Sequence, residues 1–76
     1  MTNFERVQRL ISDELQIPKQ DIKQDSHCFD DLNFDSLDSV QIVLELESEF
    51  DIEVSDEEID NVKTVQDILD LVDNLA

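Results

Sequence analysis

Apolar residues recur every three or four positions over about 3–15, 36–50 and 65–75, and this spacing predicts three longer helices. In the first stretch the apolar positions form one stripe, with charged and polar residues beside it. A shorter helix is predicted near 56–61, directly after a serine that can cap it. The chain is short enough for one domain, residues 1–76, and the predicted fold is an all-α, small four-helix bundle.

The starts of the predicted helices carry capping residues. Thr2 precedes Glu5 by three positions, and Ser55 precedes Glu58 by three, so each pair forms the sequence pattern of a capping box. Thr64 stands directly before the last apolar repeat and can cap the helix that follows. These signals support the predicted start of three of the four helices.

Residues 16–34 connect the first two predicted helices and are long for a loop in so small a domain. Pro18 prevents the first helix from continuing into them. Large apolar residues are spread through this segment, so we expect it to pack on the helices. They are Ile17, Ile22, Phe29, Leu32 and Phe34.

Residues 50–54 alternate between apolar and polar side chains, as a half-buried strand does. No other stretch offers a strand for them to pair with, so we expect an extended connector. In such a connector Ile52 and Val54 are expected to face inward.

The second predicted helix has more apolar positions than one narrow stripe can hold. They form two offset lines, which are Val43, Leu46 and Phe50, and Leu37, Val40 and Leu44. Both lines could belong to the core, but so small a domain cannot bury both fully. We therefore expect the second line to be an exposed apolar strip, which is typical of a partner-binding surface.

The chain is strongly acidic, with 21 acidic and 5 basic residues and a formal net charge of -16. No Lys or Arg lies between Lys23 and Lys63. Such a field repels nucleic acid and anionic membranes and favours partners with basic surfaces. No apolar run approaches the ~20 residues that a membrane helix needs, so a cytoplasmic protein without membrane insertion is expected.

The composition also excludes several kinds of catalytic site. The chain has no glycine, which excludes glycine-rich phosphate loops and the nucleophile elbow of hydrolases. One His and one Cys cannot build a tetrahedral zinc site. Cys28 has no partner for a disulfide and is interpreted as a small apolar residue. The sequence therefore predicts neither an enzyme nor a metal protein.

Ser36 is the main candidate for chemistry carried out by another protein. Asp35 is predicted to be the N-cap of the second helix, since its carboxylate can accept unpaired backbone N–H groups. Ser36 then occupies the first helical position and presents its hydroxyl beside the helix start. A serine here is more commonly a secondary cap, but this one lies in an acidic surface beside an apolar strip.

In this setting the chain resembles the acyl carrier proteins over essentially its whole length. The resemblance rests on the first-helix pattern and on several short motifs. These are Asp31-Leu32, residues 35–40 with the sequence DSLDSV, residues 46–50, Asp56-Glu57-Glu58, and Thr64-Val65-Gln66. It implies that Ser36 carries 4'-phosphopantetheine, transferred from coenzyme A by a separate enzyme. The thiol of the arm would then hold acyl groups as thioesters.

The resemblance also implies a partner face and an acyl pocket. The partners would be a phosphopantetheinyl transferase and acyl-transferring or chain-elongating enzymes with basic docking patches, met by a monomer. The implied partner-binding residues are Asp35, Leu37, Asp38, Val40, Gln41, Leu44, Glu45 and Glu47. The implied pocket residues are Leu46, Ile59, Val62 and Ile68.

Some positions depart from the family pattern. Asn33 replaces a glycine, Phe34 replaces a small residue, and Ile59 and Ile68 replace residues that are often alanine. The isoleucines predict a shorter acyl pocket. Fatty acid biosynthesis is the first hypothesis for the pathway. A specialised carrier of a polyketide, lipid A-type or aminoacyl pathway and an unmodified acidic adaptor are the alternatives.

Overall fold

The computed structural model describes residues 2–75, and the fold in them is helical, as predicted. The helices are α1 (Asn3–Leu15), α2 (Ser36–Phe50), α3 (Asp56–Asp60) and α4 (Val65–Leu75). A single 3-10 turn lies at Lys19–Asp21. Within residues 2–75 there is no β-strand and no helix long and apolar enough to cross a membrane.

The predicted helix caps are confirmed. Thr2 and Glu5 form a reciprocal capping box on α1, and Ser55 and Glu58 form one on α3. At the start of α4, the Thr64 hydroxyl accepts the backbone N–H of Asp67 at 3.2 Å. These bonds satisfy N–H groups that have no partner inside the helix.

Three chain reversals use the left-handed backbone region although the chain lacks glycine. Gln16 ends α1 at φ 55°, Asp51 ends α2 at φ 54°, and Asn33 lies two residues before Asp35 at φ 60°. Asn and Asp tolerate this region better than most residues. Asn33 therefore adopts a backbone conformation that glycine most commonly supplies.

The core contains residues from α1, α2 and α4 and from the loop, but the predicted core line of α2 was wrong in part. Leu46 is buried and Phe50 packs half-buried against the core, as expected, whereas Val43 is half-buried outside it and Ile42 is buried. Ile42 was in neither predicted line. Helix α2 contacts α1, and Ile42 belongs to the same buried cluster as Leu46 and the loop residue Phe34, so the buried face of α2 passes through Ile42.

The loop between α1 and α2 packs on the helices as expected, with one exception. Ile22, Leu32 and Phe34 are buried and Ile17 packs against the core, but Phe29 is 44% exposed. The Phe29 ring meets the edges of the His27 and Phe34 rings at centroid distances of 6.1 and 6.2 Å. It therefore lies over Phe34 at the surface and does not enter the core.

The connector between α2 and α3 is extended and unpaired, as expected. Ile52 is buried and Val54 is half-buried against the core. The loop is joined to the start of α4 by an antiparallel bridge between His27 and Thr64. Because of this bridge, the loop, the start of α2 and the turn before α4 come together at one end of the molecule.

Candidate functional site

Ser36 is the first residue of α2 and its side chain is exposed. Asp35 caps the helix by accepting the N–H of Asp38 at 2.7 Å, and the Asp38 carboxylate accepts the N–H of Asp35 at 3.2 Å. Ser39 donates its hydroxyl to the Asp35 carbonyl at 3.2 Å. These bonds involve the groups at the helix start without using the Ser36 side chain. The Ser36 hydroxyl forms no hydrogen bond within residues 2–75.

A cavity of about 400 Å³ opens beside Ser36. Its walls come from the loop, α2, α3 and α4, and the four predicted pocket residues all line it. Leu46 and Ile68 are buried, while Ile59 and Val62 are half-buried. The structure thus brings these four side chains together with Ser36, although their role with a bound acyl group stays a prediction.

The remaining wall of this cavity is also mostly apolar. Hydrocarbon surface is contributed to it by Phe29, Phe34, Val40, Ile42, Val43 and Leu71. The polar residues that line it are His27, Cys28, Ser36, Ser39, Asp60 and Lys63. Of these only Cys28 is buried, so the charged groups lie toward solvent and the interior is hydrocarbon with one thiol.

The second apolar line of α2 is exposed, as predicted. Leu37, Val40 and Leu44 expose 79%, 56% and 54% of their surface. Gln41, between Val40 and Leu44, is exposed as well. An apolar strip of this kind next to Ser36 is available for contact with another protein, and partner binding by it stays a prediction.

The predicted carboxylates of the partner face differ in their exposure. Asp35 is exposed, whereas Asp38, Glu45 and Glu47 are half-buried. One oxygen of Glu47 accepts the backbone N–H of Val54 at 3.0 Å, so Glu47 also holds the connector after α2. This second role could not be predicted, because the connector has no regular pattern relative to α2.

Glu45 lies on the side of α2 that faces α1. Its pKa is raised, first by burial and then by the nearby carboxylates of Glu14 and Asp13. It lines a groove between the two helices together with Arg9 and Glu49. Glu45 is therefore less available to a partner than its place in the sequence indicates.

The interpretation of Cys28 as a small apolar residue is confirmed. Its side chain is 1% exposed, and burial, with a smaller effect of Asp67, raises the pKa of the thiol to about 11. Such a thiol is a poor nucleophile near neutral pH. Within residues 2–75 no cluster of three or more His, Cys, Asp or Glu side chains is arranged to hold a metal ion.

Comparison with known proteins agrees with this geometry. Residues 5–72 match the family described as "Phosphopantetheine attachment site". An acyl carrier protein of Thermosynechococcus vestitus is 41% identical over 71 residues, which are 93% of this chain and 88% of that protein. A solved structure from Mycobacterium tuberculosis, provisionally identified as an acyl carrier protein, superposes with a TM-score of 0.89 at 37% identity. The match covers 93% of this chain and 95% of that one.

Proposed function

This chain belongs to the acyl carrier proteins with a phosphopantetheine attachment site, and we propose that its phosphopantetheine arm is attached to Ser36. We propose further that the protein takes part in fatty acid biosynthesis in the cytoplasm. Acyl carrier proteins are carriers and not enzymes, and their prosthetic group is 4'-phosphopantetheine. When bound, that group supplies a terminal thiol that holds acyl chains as thioesters. The family acts together with phosphopantetheinyl transferases and acyl-handling enzymes.

The observation that carries the assignment of Ser36 is its free, exposed hydroxyl at a helix start beside an apolar cavity. Four of the six serines in the chain have hydrogen-bonded side chains within the fold, namely Ser12, Ser26, Ser39 and Ser55. Ser48 lines the groove between α1 and α2, on a different surface from the cavity. Ser36 alone combines a free hydroxyl with the cavity mouth among the described residues.

The surroundings of Ser36 fit a phosphodiester. In the modification, the Ser36 oxygen forms a new bond to the phosphorus that carries pantetheine, while the phosphorus–oxygen bond to the nucleotide part of coenzyme A breaks. The start of α2 presents the positive end of its dipole beside this oxygen, which stabilises a phosphate there. The Ser36 proton leaves to a base of the transferase.

The lining of the cavity favours an acyl chain that consists of hydrocarbon alone. Its interior is lined by aliphatic and aromatic side chains, and the Cys28 thiol is its one buried polar group. A polar cargo such as an aminoacyl group would lose hydrogen bonds to water on entering such a space. This favours fatty acyl chains over the aminoacyl alternative for the carrier.

The proposed partners dock on the exposed strip of α2. Leu37, Val40 and Leu44 supply apolar contact, and the acidic surface around them attracts enzymes with basic patches. Phosphopantetheinyl transferase and chain-elongating enzymes would share this surface in turn. Weak and rapid docking suits such repeated exchange, because electrostatic attraction raises the association rate more than the lifetime of the complex.

Intact-mass measurement tests the attachment site. The apo-protein is incubated with coenzyme A and a broad-specificity phosphopantetheinyl transferase. Wild type and Ser39→Ala are expected to gain the mass of one phosphopantetheine group, whereas Ser36→Ala gains none. Ser39 is the matched control, since it lies on the same helix and lines the same cavity. A gain that persists in Ser36→Ala would disprove the site, and no gain in wild type would favour the acidic adaptor.

A further inference from the structure

Lys63 is the only Lys or Arg that follows Lys23 in the chain. It lies in the turn between α3 and α4, and it lines the cavity beside Ser36. His27 is the other basic residue in that lining. The protein has a net charge of -16, and its one Lys or Arg after residue 23 thus lies beside the proposed attachment site.

The backbone of Lys63 is held on both sides. Its carbonyl accepts the N–H of Cys28 at 2.8 Å, and its own N–H donates to the Asp67 carboxylate at 2.9 Å. These bonds fix where the side chain leaves the turn. The side chain itself is exposed, and the structure records no ion pair for its ammonium among residues 2–75.

Ser36 would gain an anion in a surrounding that already repels one. Asp35 and Asp38 flank it on α2, and Asp60 lines the same cavity. The α2 dipole, equivalent to about half an elementary charge at the helix start, offsets part of this repulsion. Lys63, in the same cavity lining, supplies a full positive charge in addition.

We propose that the Lys63 ammonium pairs with the phosphodiester on Ser36 and so positions the arm along the cavity mouth. This inference rests on the proposed attachment at Ser36. Three nearby groups compete for the ammonium or the phosphate. Asp60 offers the ammonium a carboxylate, and Asp67 is already engaged with backbone N–H groups. The Nδ1 of His27 accepts the backbone N–H groups of Phe29 and Asp30, so its Nε2–H is a second donor for the phosphate. An exposed ion pair of this kind favours the paired over the unpaired arrangement of the two groups by about 1.4- to 5-fold.

The test compares apo- and holo-protein by NMR, with lysines labelled at the ε-carbon. The chain has three lysines, at 19, 23 and 63. The Lys63 signal is expected to shift on conversion to the holo form, while Lys19 and Lys23 stay unchanged. The shift should shrink severalfold in 0.5 M salt, since screening weakens an exposed pair.

Variants of the holo-protein separate pairing from structure. Lys63→Gln is expected to narrow the phosphorus signal of the arm, Lys63→Arg to retain the wild-type width, and Lys19→Gln to have no effect. Lys19 and Lys63 are both exposed, so all three variants are expected to keep the wild-type melting temperature. A Lys63 signal that does not move, or a phosphorus signal unaffected by Lys63→Gln, overturns the proposal. Either result can occur with normal loading of Ser36, which keeps this test separate from that of the attachment site.

Discussion

The carboxylates of Asp67 and Glu45 respond to folding in opposite ways. Asp67 accepts backbone N–H groups from Lys63 and Thr64, at 2.9 and 3.0 Å, and these bonds lower its pKa. Glu45 is raised in pKa by burial and by Glu14 and Asp13. A carboxylate at a helix start therefore stabilises the fold, while one facing other carboxylates destabilises it.

The sign of each effect gives a pH-dependent prediction. The lowered pKa of Asp67 means that its stabilisation is present at neutral pH and is lost as the pH falls through that pKa. Asp67→Asn is expected to cost about 0.3–1 kcal/mol at pH 7, with the difference shrinking in acid. The raised pKa of Glu45 has the opposite sign, because proton binding stabilises the folded form as the pH falls through it. Glu45→Gln should therefore raise stability at pH 7.

Urea unfolding of wild type and both variants between pH 3 and 8 measures these differences. Glu45→Gln serves as the control of opposite sign for Asp67→Asn. A loss in Asp67→Asn that is the same at every pH would show that the charge of Asp67 contributes nothing. A loss of stability in Glu45→Gln at neutral pH would contradict the repulsion from Glu14 and Asp13.

Helix α2 has two functions on opposite faces. Ile42 and Leu46 are buried in the core, while Leu37, Val40 and Leu44 are exposed. An apolar residue on the buried face contributes to the free energy of unfolding, whereas one on the exposed face contributes little to it. Substitutions on the two faces should therefore separate stability from partner binding.

Leu37→Ala and Ile42→Ala test this division. Leu37→Ala is expected to leave the free energy of unfolding within about 0.5 kcal/mol of wild type, since the side chain is mostly exposed. It should weaken binding to a chain-elongating enzyme severalfold. Ile42→Ala is expected to cost about 2–5 kcal/mol of stability. Calorimetry of unfolding and a binding titration give both quantities, and equal losses of stability in the two variants would refute the division.

The sequence predicted the elements well and the faces of α2 only in part. Helical periodicity and capping residues are local, so they located the helices and the exposure of Ser36 and Leu37. Which side of α2 is buried depends on where the loop packs, and the loop has no repeating pattern. Ile42, the internal bond of Glu47 and the exposure of Phe29 could not be predicted for that reason. The cation at Lys63 was visible in the sequence, but its place beside Ser36 depends on the turn before α4.

The charge is distributed over every element of the molecule, and the cavity is shared among several of them. The net charge of -16 is spread over a surface whose few bases are mostly in the first 23 residues. The cavity needs the loop, α2, α3 and α4 together to form its walls. Its size therefore reflects how far these elements can separate, and side chains that fill the space between them limit what it can hold.

We expect two isoleucines to limit the length of acyl chain that the cavity can hold. Ile59 and Ile68 both line it, and their side chains occupy space that smaller residues would leave open. We expect each buried CH₂ of the chain to contribute about 0.8 kcal/mol until the space is full, and further ones to stay in solvent and contribute nothing. The stabilisation on loading should thus level off at a shorter chain in wild type than in Ile59→Ala. Ile59 is half-buried, so this variant is expected to fold more readily than one that also truncates the buried Ile68.

A series of Ser36-linked acyl groups of increasing length measures this limit. The readouts are the rise in melting temperature on loading and the rate of thioester hydrolysis, which should fall as the chain is sheltered. Ile52→Ala is the matched control, because Ile52 is a buried isoleucine that does not line the cavity. It should lower stability without moving the chain length at which the stabilisation levels off. If wild type and Ile59→Ala level off at the same length, and Ile59→Ala with Ile68→Ala does so too, the isoleucines do not limit the cavity. In that case the helices must separate to admit longer chains, which exposes apolar surface elsewhere in the core.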